Sequence, residues 1–281
     1  MIKVAVILFG IAMNLKSIQT KSQNKPNKKM NNKEKAAAIN KAVQNTDHKA
    51  IDELVREDYI QHTPPIPDGR KGLQGLLSKI ESGGISAPQI KNVRTFEDGE
   101  FVVLHHDVNW PNRKAMIEIF RFQEGLAAEH WSGIMDHPEK TVNGNSMVDG
   151  FTTINDKSKT AKNKEFAKSF VETVLINGQF DKILNYYHPD IVQHNPFIDN
   201  TVAGLIKGIE ELQKQGIAIQ IEKIHRVFGE GNFVLVFSEG KFAGKHTAFF
   251  DLFRVENEKI VEHWDVLQEV PEKIAHQNGM F

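Results

Sequence analysis

The chain contains no cysteine in 281 residues. Disulfides, thiolate nucleophiles and cysteine-ligated zinc or iron–sulfur sites are therefore excluded, while the redox compartment stays open. An excess of charge is missing too. Against 35 Lys and Arg stand 36 Asp and Glu, a net charge of −1, so no global field draws the chain to nucleic acid or an acidic membrane. There is no phosphate-binding glycine loop, no serine nucleophile elbow and no His-Glu-x-x-His helix. The glycines between Gly72 and Gly84 lie in and after a helical stretch and lack the spacing for phosphate. Long apolar runs are also scarce. The run Val4 to Met13 behind Met1-Ile2-Lys3 is too short to span a bilayer and has the length of a signal-peptide core.

The expectation from that segment is a signal peptide over residues 1–22. Thr20-Lys21-Ser22 places hydroxyl side chains at the −3 and −1 positions of a cleavage after Ser22. A buried first strand or an uncleaved anchor is the competing reading. A polar, disordered tether is expected over 23–31, leaving an exported protein, periplasmic or secreted, with no integral membrane span once the signal is removed.

What is present is a soluble globular composition, 40% apolar and 25% charged, on a chain long enough for about two domains. A repeat divides it. At a register of 132 to 133 residues, Glu129-His130-Trp131 aligns with Glu262-His263-Trp264, Pro138-Glu139-Lys140 with Pro271-Glu272-Lys273, Asn145 with Asn278 and Met147 with Met280. Upstream, Gln61-His62 aligns with Gln193-His194, and Glu118-Ile119-Phe120-Arg121 with Asp251-Leu252-Phe253-Arg254, so the duplication covers nearly all of both halves. The expected organisation is a first domain over 32–140, a linker over 141–162 rich in Asn, Gly, Ser, Thr and Lys, and a second domain over 163–281.

Each half reads in the same order. Helical periodicity predicts helices over Lys33 to Gln44 and Asp47 to Arg56, with Asp47 as a cap, and over Lys164 to Ile176 and Phe180 to Tyr187. A third helix, about Arg70 to Ile80 or Val202 to Gln215, follows a loop opening His62-Thr63-Pro64 or His194-Asn195-Pro196. Four strands complete each half, marked off by turns such as Glu97-Asp98-Gly99 and Gly229-Glu230-Gly231. The class is α+β, with about three helices packed on a strongly curved, mainly antiparallel sheet.

Side chains alternate along a strand, so Lys259 to Glu269 places Val261, His263, Asp265 and Leu267 on one face and Glu262, Trp264 and Val266 on the other. The preceding strand groups Phe249, Asp251 and Phe253. Facing the helices, these residues would line an apolar cavity with a few convergent polar groups, the usual form of a small-molecule site, with Phe197 beside it in the loop. A carboxylate there is desolvated and becomes a proton shuttle near neutral pH. Asp265 is the candidate acid/base, and His263 or His194 the candidate donor to a substrate oxygen. The plain structural alternative is a His–Asp pair bonded to itself or to a helix end. Asp251, matched by Glu118, could equally be a salt-bridge partner near Arg254, although Arg254 lies on the opposite strand face.

In the first half Ser132 stands where the second has Asp265, which makes that half the scaffold or regulatory copy. Its His105-His106-Asp107 suggests metal, but adjacent strand residues point to opposite faces and cannot share one ion without distortion; no metal site is assigned. The face carrying Trp131, Trp264, Phe250 and Leu252 needs a cover, and the simplest is the sheet of the other half, an intrachain pseudo-dimer.

The order of helices before sheet, the loop Gln193-His194-Asn195-Pro196, and the closing runs Asp251-Leu252-Phe253-Arg254 and Lys259-Ile260-Val261-Glu262-His263-Trp264-Asp265-Val266-Leu267-Gln268, with Asn278-Gly279-Met280-Phe281, resemble the SnoaL-like branch of the nuclear-transport-factor-2-like superfamily. The resemblance covers both halves. It implies cone-shaped domains with a deep pocket and, from the polyketide cyclases of the family, an aspartate at Asp265 acting as acid/base for an intramolecular aldol closure without a cofactor. Fold alone does not fix function. The leading expectation is cofactor-independent aldol, isomerase or lyase chemistry on a small carbonyl compound in the second domain. Its competitor is a non-catalytic exported protein that binds a small apolar ligand, and a pure assembly module would instead have its pockets filled by side chains.

Overall fold

The computed structural model describes residues 30–281. The expected signal peptide and all but the end of the expected tether lie outside the described residues.

The first domain runs α1 (Asn32–Asn45), α2 (His48–Leu54), β1 (Val55–Gln61), α3 (Gly69–Glu81), β2 (Gln89–Asp98), β3 (Phe101–Asn109), β4 (Arg113–Gln123) and β5 (Leu126–Asp136). Asn31 and Glu34 form a reciprocal capping box at α1, and Asp47 accepts from the Ala50 amide at 3.0 Å to start α2. The second domain repeats the order as α4 (Thr160–Phe170), which widens into a π-helical turn over Val171–Ile176, then α5 (Ile183–Tyr186), β6 (Tyr187–Gln193), α6 (Thr201–Lys214), β7 (Ile219–Glu230), β8 (Phe233–Phe242), β9 (Lys245–Glu256) and β10 (Lys259–Glu269).

Two expectations are corrected. Each half has five strands, not four. The additional one, β1 or β6, takes the end of the predicted second helix, where Val55, Tyr59 and Gln61, or Tyr187, Ile191 and Gln193, turn inward. Pro189 fits there because β6 is an edge strand, where a missing amide hydrogen breaks no ladder. The second correction concerns shape. The strand orders are linear, β1-β5-β4-β3-β2 and β6-β10-β9-β8-β7, and the outermost strands of each do not pair. The domains are therefore open sheets carrying helices, not curved, closing cones. Within each sheet the edge pair β1–β5 or β6–β10 is parallel and the other pairs are antiparallel.

Each sheet buries one face against its own helices, in cores centred on Ile39, Leu77 and Phe120 or on Phe170, Phe249 and Phe253. Its other face packs on the sheet of the other domain. That shared core holds Trp131, Trp264, Ile119, Phe237 and Phe250, so the two halves form the intrachain pseudo-dimer. Gly133 allows a close approach of the two sheets, since a Cβ there would lie 2.5 Å from the Phe250 ring.

The connections are exchanged between domains. Asn145, between the domains, donates to the Gln193 carbonyl at 3.0 Å, and Asn278, near the C-terminus, donates to the Gln61 carbonyl at 3.0 Å. Each domain's trailing segment thus secures the loop after the other domain's edge strand. Among the described residues no helix is long and apolar enough to cross a membrane.

Candidate functional site

Between α4, α6 and the inner face of the second sheet lies a cavity of about 250 Å³. Its walls are apolar, with Phe170, Phe249, Phe253 and Leu267 from helix and sheet, and half-exposed Phe197 in the loop after β6. Its polar floor is built by cross-strand pairing. Asp251 of β9 and Asp265 of β10 are direct neighbours in the antiparallel register, and alternation puts His263 on the same face. The seven candidates Asp265, His263, Asp251, Phe249, Phe253, Leu267 and Phe197 all line this cavity.

His194 does not. Its ring stacks on Trp264 on the opposite side of the sheet, with centroids 4.8 Å apart. There Nε2 meets Glu262 at 3.0 Å and Nδ1 meets the Ser146 carbonyl at 2.7 Å. The expected donor role for His194 is corrected to a structural one at the domain interface. His62 has the same setting: it stacks on Trp131 at 4.7 Å and bonds Glu129 at 2.9 Å and the Gly279 carbonyl at 2.9 Å. The repeated Glu-His-Trp motif therefore serves two faces, Glu and Trp the interface and only its central His the cavity.

Two polar residues that sequence reasoning passed over flank His194 and point the other way. Gln193 accepts from the amides of His194 and Asn195, both at 3.1 Å, which fixes its Oε1 as an oxygen. The 2.9 Å contact from that oxygen to His263 Nδ1 must then be a hydrogen bond donated by the ring. His263 Nε2 lies 3.1 Å from Asp251 Oδ1, a contact that requires one proton between them. With both nitrogens engaged, His263 orients Asp251 and is not free to meet a substrate carbonyl. Asn195 donates to Asp265 Oδ2 at 2.6 Å. The signal was available: Gln193 and Asn195 sit two apart, so one strand-like alternation places both on the face that His194 leaves.

Asp251 Oδ2 and Asp265 Oδ1 are buried without a hydrogen-bond partner. Burial pushes the Asp265 carboxyl up, the His263 charge opposes this, and the neighbouring Asp251 adds to it; the net result is a pKa of about 6. Burial likewise drives the Tyr187 phenol well above its ordinary value, so it keeps its proton. Among the described residues, Asp251, His263 and Asp265 each offer one donor atom within 4.8 Å of the others, which is the spacing a metal ion would need. Asp251 is no salt-bridge partner of Arg254, which instead pairs with Glu262 at 2.7 Å.

The first domain has a smaller cavity of about 80 Å³ over an analogous floor. Gln61 bonds His130 Nδ1 at 3.0 Å, and His130 Nε2 meets Glu118 at 3.1 Å. Glu118 also meets His106 at 2.9 Å and the Asn40 amide at 2.6 Å. Burial pushes the Glu118 carboxyl up, but hydrogen bonds and charge from the two imidazoles more than reverse this and hold it well below the carboxylate range. Ser132 replaces Asp265, and its hydroxyl bonds that of Thr63, the counterpart of Asn195, at 2.7 Å. His105 and His106 point to opposite faces, the former meeting Arg94 at 3.1 Å on the interface side.

The SnoaL-like domain model matches the chain twice, over residues 36–130 and 167–263. No curated protein matches. Among solved structures the chain is similar to TsrD from Streptomyces laurentii, with 16% identity over 36% of this chain and 84% of that one and a TM-score of 0.32. Wild-type IdmH, described as a putative polyketide cyclase from Streptomyces antibioticus, shares 17% identity over 36% of this chain and 88% of its own, with a TM-score of 0.30. A putative polyketide cyclase from Bacillus cereus ATCC 10987 shares 17% over 36% and 72%, with a TM-score of 0.33.

Proposed function

We propose that this chain, which belongs to the SnoaL-like family through both of its halves, holds a small molecule in the second-domain cavity and exchanges a proton with it through Asp265. The observation that carries this reading is the Asp265 carboxyl itself: buried, raised to about 6, and presenting an unpartnered oxygen to an apolar cavity. A carboxyl of that pKa is mostly ionised at pH 7 yet keeps roughly a tenth of its population protonated, so both forms are within reach for general acid or base work. The reaction classes that need only this group are aldol closure, isomerisation and elimination on a small carbonyl compound. In such a step Asp265 removes a proton from carbon or delivers one to oxygen. Asn195 orients its far oxygen, and the relay Gln193–His263–Asp251 fixes the second carboxyl beside it.

A second reading, an exported protein that binds a small apolar ligand without turning it over, is favoured by the loss of this carboxyl in the first domain. Export through the segment 1–22 belongs to both readings and is tested by the N-terminus of the secreted form, expected at Gln23. The deciding experiment is a carboxyl-carbon NMR titration with Asp265→Asn as the assignment control. A midpoint near 6, with turnover of carbonyl compounds lost in the variant, supports catalysis. A midpoint near 4 removes the acid/base reading and leaves the binding one.

A further inference from the structure

The polar floor of the second-domain cavity carries two neighbouring carboxyls, Asp251 and Asp265. The His263 Nδ1 proton is given to Gln193, and one proton lies between Nε2 and Asp251 Oδ1. The Asn195 amide is given to Asp265 Oδ2, and the Thr247 hydroxyl to the Lys245 carbonyl at 2.9 Å. On the carboxyls two oxygens remain free, Asp251 Oδ2 and Asp265 Oδ1, on neighbouring residues that are 6% and 7% exposed; Tyr187 and Gln193, which also line the cavity, bring only neutral O–H and N–H donors. The His263–Asp251 pair is neutral as a unit, so ionised Asp265 leaves the floor with a charge of −1.

Nothing else lining the cavity balances it. Helices α4 and α6 contribute apolar side chains such as Phe170, Leu205 and Ile209, and Tyr187 keeps its proton. Among the described lining residues, Lys245 is the only lysine or arginine, and it is bound to Glu269 at 2.7 Å. A bare metal ion would need the Nε2 lone pair of His263, but the proton shared with Asp251 occupies it. It would also leave the apolar walls without a partner. The occupant these features fit has an apolar body and a positively charged head with N–H donors.

We propose that the ligand of this cavity is a hydrophobic amine, bound as its ammonium by the free oxygens of Asp251 and Asp265 with its carbon skeleton against Phe170, Phe249, Phe253 and Leu267. The inference rests on the second-domain cavity being the ligand site and names the ligand class. An ammonium donates several hydrogen bonds at once, and its charge-assisted bonds to carboxylates are the strong ones. Its preference for ionised Asp265 makes binding tighten as pH rises through about 6.

The test compares n-octylamine, 1-octanol and octanoate on the full chain by calorimetry at pH 5 and pH 8, below the concentrations at which they aggregate. The expected result at pH 8 is octylammonium binding about tenfold or more tighter than octanol, equivalent to at least about 1.4 kcal/mol. That advantage should shrink at pH 5 and disappear in Asp265→Asn. In wild type, octylamine should also lower the Asp265 titration midpoint, a readout that does not depend on the variant folding. Octanol or octanoate binding as tightly as the amine would overturn the amine assignment and leave the cavity reading standing. Failure of all three to bind would overturn both. Displacement of octylamine by micromolar Mn²⁺ would assign the floor to a metal and overturn the proposal.

Discussion

In the first domain the carboxylate of Glu118 receives hydrogen bonds from two imidazoles and an amide, whereas in the second Asp251 meets one imidazole and stands beside another carboxyl, Asp265. The shared part is the relay of Gln, His and carboxylate. The difference lies in two coupled positions. Where Asp265 becomes Ser132, Asn195 becomes Thr63, and two hydroxyls 2.7 Å apart close on each other. A serine beside an unchanged asparagine would have left an amide donor without its carboxylate, a cost of roughly 1–3 kcal/mol when buried. The carboxylate and hydroxyls of the first floor are thus satisfied within it, with only His106 Nδ1 left over, whereas the second has carboxyl oxygens to spare. The domains consequently respond to acid in opposite directions: one contains a carboxyl held low, the other a carboxyl held high.

The sharpest way to break the comparison is to remove the acid. Asp265→Asn is expected to lower turnover of any proton-transfer substrate by about 10²- to 10⁴-fold, while Ser132→Ala leaves it unchanged, as measured by steady-state kinetics. What the halves share can be broken at their common core. Trp131→Ala and Trp264→Ala, both fully buried between the sheets, should each cost about 3–5 kcal/mol in denaturant unfolding.

The opposite carboxyl shifts give a stability test with opposite signs. Asp265 is protonated in both states at pH 3. As pH rises from about 4 to 6 the unfolded chain releases the proton and the folded one retains it, so wild type loses stability on the order of 3 kcal/mol, and the loss is constant above that window. Asp265→Asn should therefore become more stable than wild type across that window. Glu118, held low, contributes stability that is full above its unfolded pKa and is lost as pH falls through the folded one. Glu118→Gln should be destabilising at pH 7, with the deficit shrinking in acid.

His194→Ala should weaken domain packing by about 1–3 kcal/mol, because Glu262 loses a buried partner, yet leave the Asp265 midpoint where it is. An effect on the midpoint would return His194 to the cavity's chemistry. The smallest expected effect is a gain: Thr63→Asn with Ser132→Asp should place a carboxyl in the first domain with a midpoint raised by about one pKa unit, read by NMR.

Much of the cavity was legible because β10 keeps a strict two-residue period between Glu262 and Leu267, so one parity choice placed His263, Asp265 and Leu267 together. His194 was misplaced for the same physical reason. It is equally polar, but it follows directly on β6, the strand that runs parallel to β10, and its ring takes the side of Trp264; residue type alone does not reveal that side. The edge strands β1 and β6 were hidden because they are short, carry a register irregularity and follow a helix without a break. Composition and periodicity cannot mark a helix-to-strand change at a single residue such as Val55. The open sheet likewise escaped sequence reasoning, because closure depends on whether the outermost strands meet.

The sequence by itself determined the duplication, the α+β order, the two faces of β10 and the absence of Asp265's counterpart from the first half, because these depend on residue identity and on periods intrinsic to the chain. Only the tertiary structure decided which histidine meets the cavity, which group each ring nitrogen faces, and that each domain's loop is secured by the other's trailing segment. Those facts arise from contacts between residues far apart in sequence, such as Gln193 with His263 and Asn278 with Gln61, whose pairing is set by packing and not by any local pattern.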